Sequence, residues 1–74
     1  MAKDDREIAW VSFQFPARLS SQDSGSLAFA RGETTKLFKR DIDGIPHVVV
    51  EDASLASPGN VPWTNVASVG WYKP

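Results

Sequence analysis

The chain has 74 residues, with 8 basic and 9 acidic side chains, a net charge of −1 and no cysteine. That length supports one small domain with one core, in a range where folding buries only about 60% of the unfolded surface. The near-zero charge argues against affinity built on neutralising many phosphates, and the missing cysteine excludes disulfide staples and thiolate metal sites.

No apolar run reaches the length of a membrane span, and the opening Lys3-Asp4-Asp5-Arg6-Glu7 lacks the apolar stretch of a secretion signal. A soluble cytoplasmic protein is the expectation. Residues 1–6 are polar and read as a frayed tail, leaving 7–74 as a single domain.

From Glu7 to Phe15 the residues alternate as in a strand. Ala9, Val11, Phe13 and Phe15 form the better core face, while Ile8 and Trp10 make the start of the other face apolar too. Pro16 is expected to end the regular pairing. Ala17 to Gly25 has the Ser, Gln, Asp and Gly content of a long loop. Ser26 to Ala30 alternates again with Leu27 and Phe29 inward, and Arg31-Gly32-Glu33 supplies a turn in which Gly32 can take positive φ.

Thr34 to Ile42 reads as the next strand, and Asp43-Gly44 between Ile42 and Ile45 is a strong two-residue hairpin signal. The return strand, Ile45 to Asp52, carries Val48-Val49-Val50, apolar on both faces, and Pro46 places its start at a sheet edge. Ala53 to Asn60 is expected to be a loop. Pro62 fixes its own φ and donates no N–H, so the chain enters one tight helical turn there and leaves it near Asn65, with a last strand supplying Val66, Val69 and Trp71 to the core. No amphipathic helix is present in the pattern. Five short strands with closely spaced turns predict an all-β barrel.

Three stretches resemble the Src-homology-three family. Trp10-Val11-Ser12-Phe13-Gln14-Phe15-Pro16-Ala17 stands where that family has its Ala-Leu-Tyr-Asp-Tyr opening strand. Ser26-Leu27-Ala28-Phe29-Ala30-Arg31-Gly32-Glu33 is similar to its diverging turn, and Gly59-Asn60-Val61-Pro62-Trp63-Thr64-Asn65-Val66-Ala67 to its Gly-Tyr-Ile-Pro-Ser-Asn-Tyr-Val-Ala close. The resemblance implies a five-stranded SH3-like barrel with a one-turn 3-10 helix before the last strand. It implies a peptide groove only in part. Phe13 and Phe15 stand at the tyrosine positions without hydroxyls, Pro62 is kept, Asn65 replaces the closing Tyr, and Ile45 to Asp52 contains no Trp.

No catalytic constellation is visible, so a non-enzyme without cofactor or metal is expected. His47 is the only histidine, no Gly-rich loop precedes a Lys, and the pairs Glu51-Asp52 and Asp41/Asp43 sit where hairpin ends and loop mouths collect acids. The aromatic residues point to protein recognition, because Trp and Tyr dominate interface hot spots. The resembled fold implies that Trp63 faces out beside its groove, with Phe13, Phe15 and Pro62 as neighbours. Trp10 and Trp71 are expected in the core. A second candidate surface is an edge strand presenting Arg6, Ile8 and Trp10 to a partner's sheet. The runner-up is a nucleic-acid binder using Lys36, Phe38, Lys39 and Arg40 on one face; a weak proline-rich-peptide adaptor comes third. The expected protein is a monomeric regulator acting by protein–protein contact. It is similar in style to phage-encoded barrels that redirect a host machine such as RNA polymerase or a defence nuclease, which makes such a machine the expected partner.

Overall fold

The computed structural model describes residues 6–18 and 25–73. In chain order these form β1 (Arg6–Ala17), β2 (Ser26–Ala30), β3 (Thr35–Ile42), β4 (Ile45–Asp52), β5 (Gly59–Pro62), a 3-10 turn (Trp63–Asn65) and β6 (Val66–Trp71). Most of the expected tail and of the Ala17 to Gly25 loop lies outside the described residues. Arg6 is strand rather than tail, in register with Lys39 of β3.

The strands make one antiparallel sheet. Along one edge of β1, β3 pairs with Arg6 to Ile8 and β2 takes over from Trp10, while β6 occupies the opposite edge. From β3 the sheet continues through β4 to β5. The 3-10 turn links the two outer strands, β5 and β6, and lies against both β4 and β1. The result is a curled half-barrel of six strands, compatible with an SH3-like barrel. Among the described residues no ladder joins β5 to β6. The sixth strand is Gly59–Pro62, whose first two residues were expected to close the Ala53 to Asn60 loop. Only Gly59 and Val61 of it turn inward, too short an alternation to register as a period, yet it pairs with His47 to Val50.

Local chemistry sets the turns. Asp43 and Gly44 both adopt left-handed φ, 54° and 79°, the twist that a two-residue hairpin demands. Ile42 and Ile45 flank that turn as a register pair, so the nitrogen of Pro46 points away from β3. The β5 ladder reaches only to His47, so Pro46 deprives no neighbour of a hydrogen bond. Pro62, at φ −57°, leads into the 3-10 turn as expected. Gly32 does not take the positive φ foreseen for it; its N–H donates to the Thr35 carbonyl at 2.9 Å in an ordinary conformation.

The core lies on the concave face: Ile8, Val11, Phe13, Ala17, Leu37, Val48, Val50 and Val61, with Phe29, Trp63, Val66, Val69 and Trp71 packed against it. Each fully buried aliphatic side chain here contributes on the order of 1.5–3 kcal/mol. Val49 is also fully buried, but on the other face, in register between Phe38 and Asn60.

The strict alternation read for β1 fails because its ladder with β6 carries two irregularities. Ile8 opposes Trp71 and Trp10 opposes Gly70, so Ala9 is an inserted residue. This bulge brings Ile8 onto the same inward face as Val11, while Trp10, expected in the core, alternates with Val11 and lies on the surface at 47% exposure. Between Ser12 and Phe13 the extra residue is Ala67 of β6. Beyond Phe13, β1 has left β6, and its register with β2 breaks between Ser12 and Ala17. Two side chains expected inward are therefore uncovered: Phe15 is 69% exposed and Leu27 55%. Pro16 does not end the strand, which continues to Ala17, but it falls within the irregular stretch.

Candidate binding surface

At the amino end of β1 the concave face runs out of aliphatic residues and is finished by aromatic rings and cations. Inward alternation places Arg6 before Ile8 on β1 and Lys39 after Leu37 on β3, and the two cations are direct cross-strand partners. Trp71, at the end of β6, stands opposite Ile8. Trp63, the first residue of the 3-10 turn, stacks on Trp71 with ring centroids 5.9 Å apart and planes 17° apart. The Arg6 guanidinium lies 4.0 Å from the Trp71 ring centroid, and Lys39 Nζ 5.4 Å from that of Trp63. Both distances are within the range of attraction between a cation and an aromatic face.

Trp63 was expected to point away from the barrel. It instead packs against the core with part of its surface accessible, because stacking on Trp71 draws it over the concave face. Two other candidates offer no surface. Ile8 and Phe13 are buried, the first by the Ala9 bulge and the second by an edge-on contact with the Phe29 ring at 5.7 Å. Arg6, Trp10, Phe15 and Pro62 are exposed.

The far end of the 3-10 turn is fastened to β1 by a single side chain. Asn65 Oδ1 accepts the Phe15 N–H at 3.0 Å, and Asn65 Nδ2 donates to the Phe15 carbonyl at 2.9 Å. The amide thereby replaces a ladder rung where β1 has left β6, holding exposed Phe15 beside the turn. Sequence reading assigned Asn65 only a turn exit, since a bond across 50 residues leaves no local signal.

The four residues of the nucleic-acid alternative do not share a face. Lys36, Phe38 and Arg40 face outward, cross-strand from Glu51, Val49 and His47, whereas Lys39 faces inward opposite Val48. Arg40 is also drawn to Glu51 at 3.7 Å and lies 5.8 Å from the Phe38 ring centroid. Alternation along β3 makes this separation unavoidable, because neighbouring residues of a strand point to opposite faces.

Elsewhere the polar groups serve structure. Arg31 Nε meets Glu7 Oε2 at 3.0 Å while its guanidinium lies over Tyr72, fixing the start of β1 to both adjacent segments. Asp52, at the end of β4, accepts hydrogen bonds from the Thr35 hydroxyl and from the N–H and hydroxyl of Ser54. These bonds, that of Thr35 foremost, hold its carboxyl down at a pKa of about 2 against an ordinary value of 3.8. His47 Nδ1–H donates to the Ile45 carbonyl at 2.8 Å. Among the described residues no three His, Asp or Glu side chains converge as a metal site would require, and no helix is long and apolar enough to cross a membrane.

The residues missed as site members are Trp71, assigned to the core, and the pairing of Arg6 with Lys39. Counting inward positions from Ile8 and Leu37 finds that pairing once the register of β1 and β3 is known. Comparison of the chain with protein-family models, with curated proteins and with solved structures gives no match.

Proposed function

We propose that this protein is a non-catalytic, SH3-like binding module that regulates a larger assembly by protein–protein contact at the Trp63 end of the half-barrel. One observation carries the reading: Trp63 and Trp71, stacked and only partly covered, stand beside the exposed Arg6 where the core gives way to solvent. Large rigid aromatics at the rim of a core bring contact area with little entropy to lose on binding, as hot-spot residues do. The only histidine is engaged with a neighbouring carbonyl on the sheet surface, which supports a role without catalysis. Phage-encoded regulators of host machines remain the functional class of closest style, by analogy of size and architecture alone.

The test is affinity capture from the native host with the intact chain as bait, after nuclease treatment and at moderate salt. A specific partner is expected to be retained by the unmodified chain and by Leu27→Ala, and lost by Trp63→Ala with its β-sheet circular dichroism intact. Retention of every partner by folded Trp63→Ala refutes the choice of surface.

A further inference from the structure

We propose that Arg6 and Lys39 together form a receptor for a carboxylate, so that the partner segment docking on the Trp63–Trp71 surface is acidic. The inference rests on the protein-contact reading and specifies the partner's chemistry. It starts from an arrangement that strands ordinarily avoid, two like charges directly opposite across a ladder. Among the described residues neither Arg6 nor Lys39 meets a carboxylate, although Arg31 meets Glu7 and Arg40 meets Glu51.

Each of the two cations is held over a tryptophan instead, and the two tryptophans stack on each other. Ring contact holds the cationic heads at the surface and leaves N–H groups of both free to donate. An incoming carboxylate can then bridge guanidinium and ammonium, cancel their mutual repulsion and gain charge-assisted hydrogen bonds beside an apolar wall. The best-fitting ligand carries Asp or Glu next to an aliphatic side chain that lies on the exposed parts of Trp63 and Trp71.

A nucleic-acid backbone presents anions as well, but it needs a track of cations. Lys36 and Arg40 face away, and the chain as a whole is acidic with a pI near 5.6. Two cations on one face suit a carboxylate or two better than a run of phosphates.

The probe is a blocked peptide of sequence Glu-Glu-Leu-Glu-Glu, with its Gln-Gln-Leu-Gln-Gln counterpart and a five-nucleotide oligothymidine as controls. Titrations of the intact protein are followed by the indole N–H resonances of Trp63, Trp71 and, as an internal reference, Trp10. Saturable shifts of Trp63 and Trp71 with the glutamate peptide are expected, at least about fivefold weaker with the glutamine peptide and lost in Arg6→Gln/Lys39→Gln. A fold control is the unchanged Trp10 resonance in that variant. Equal binding of the two peptides, no saturation, or full binding by the double variant overturns the proposal. Tighter, Arg6- and Lys39-dependent binding of oligothymidine overturns it in favour of nucleic acid. If the peptide fails while host capture still depends on Trp63, acidic recognition falls and the protein-contact reading stands. If the peptide binds while capture ignores Trp63, the receptor stands without that reading.

Discussion

Gly70→Ala isolates the way β6 carries Trp10. A Cβ at position 70 would lie 2.0 Å from Trp10 Nε1, 2.4 Å from Cε2 and 2.7 Å from Cδ1, so the indole cannot stay where it is. Trp10 is 47% exposed, which leaves roughly half of its surface covered by this platform and its neighbours. A tryptophan has some 150–250 Å² to bury, so about 100 Å² of contact is at stake. At about 25 cal/mol per Å² that is at most about 2.5 kcal/mol, reduced because a displaced indole finds some new cover. Gly70 has no positive φ, so alanine stiffens the unfolded chain without backbone strain, an offset of about 0.4–1 kcal/mol. The net expectation is a loss of about 1–2 kcal/mol, which for a domain of this size lowers Tm by roughly 4–16 °C. Thermal unfolding followed by circular dichroism measures it, and tryptophan emission reports the movement of the ring. A cycle with Trp10→Ala supplies the decisive comparison. In that background Gly70→Ala should be neutral or stabilising, giving a coupling of about 2 kcal/mol. The same loss in both backgrounds, or none in either, refutes the reasoning.

Asn65→Ala removes both bonds to the Phe15 backbone and should lower stability by about 1–2 kcal/mol in urea denaturation. An unchanged midpoint for Asn65→Ala would show that the clasp holds nothing. Leu37→Ala, at a fully buried site, should cost about 2–5 kcal/mol, whereas Leu27→Ala should stay within about 0.5 kcal/mol of the parent. Similar midpoints for the two would contradict the assignment of the core. Asp52 titrates lower in the folded chain than in the unfolded one, so its contribution is complete above pH 3.8 and is lost as pH falls toward 2. Asp52→Asn should flatten the fall of Tm across that window, and an unaltered acid limb would refute the assigned role.

Much of this fold was readable where one residue type dictates one conformation. Asp43-Gly44 announced its hairpin because few pairs tolerate two left-handed residues, and Pro62 announced the turn because its ring fixes φ. The run Val48-Val49-Val50 announced a strand covered on both sides, and all three are buried. What escaped reading depends on pairing between distant segments. A period-two pattern has no means of registering an inserted residue, so the bulge at Ala9 put Ile8 on the same face as Val11 unseen. Exposure of Phe15 and Leu27 follows from a ladder that lapses, a property of two strands together rather than of either alone. The binding surface was half legible. Trp63 and Arg6 stood out by type, but only the register of β1 with β3 makes Arg6 and Lys39 neighbours, and only the stack makes Trp71 part of the same surface.

The pairing of β1 with β6 ties completion of the sheet to the end of the chain's synthesis. Ile8 leaves the ribosome long before Trp71, yet the two are ladder partners, and the Tyr72 N–H closes on the Glu7 carbonyl at 3.1 Å. During translation the first strand can recruit β2 and β3 along one edge while its other edge, with Val11 and Phe13, waits for the last segment to emerge. The strand made first is thus completed last, and a nascent chain paused before Val66 presents an unsatisfied edge to chaperones or to a second nascent copy.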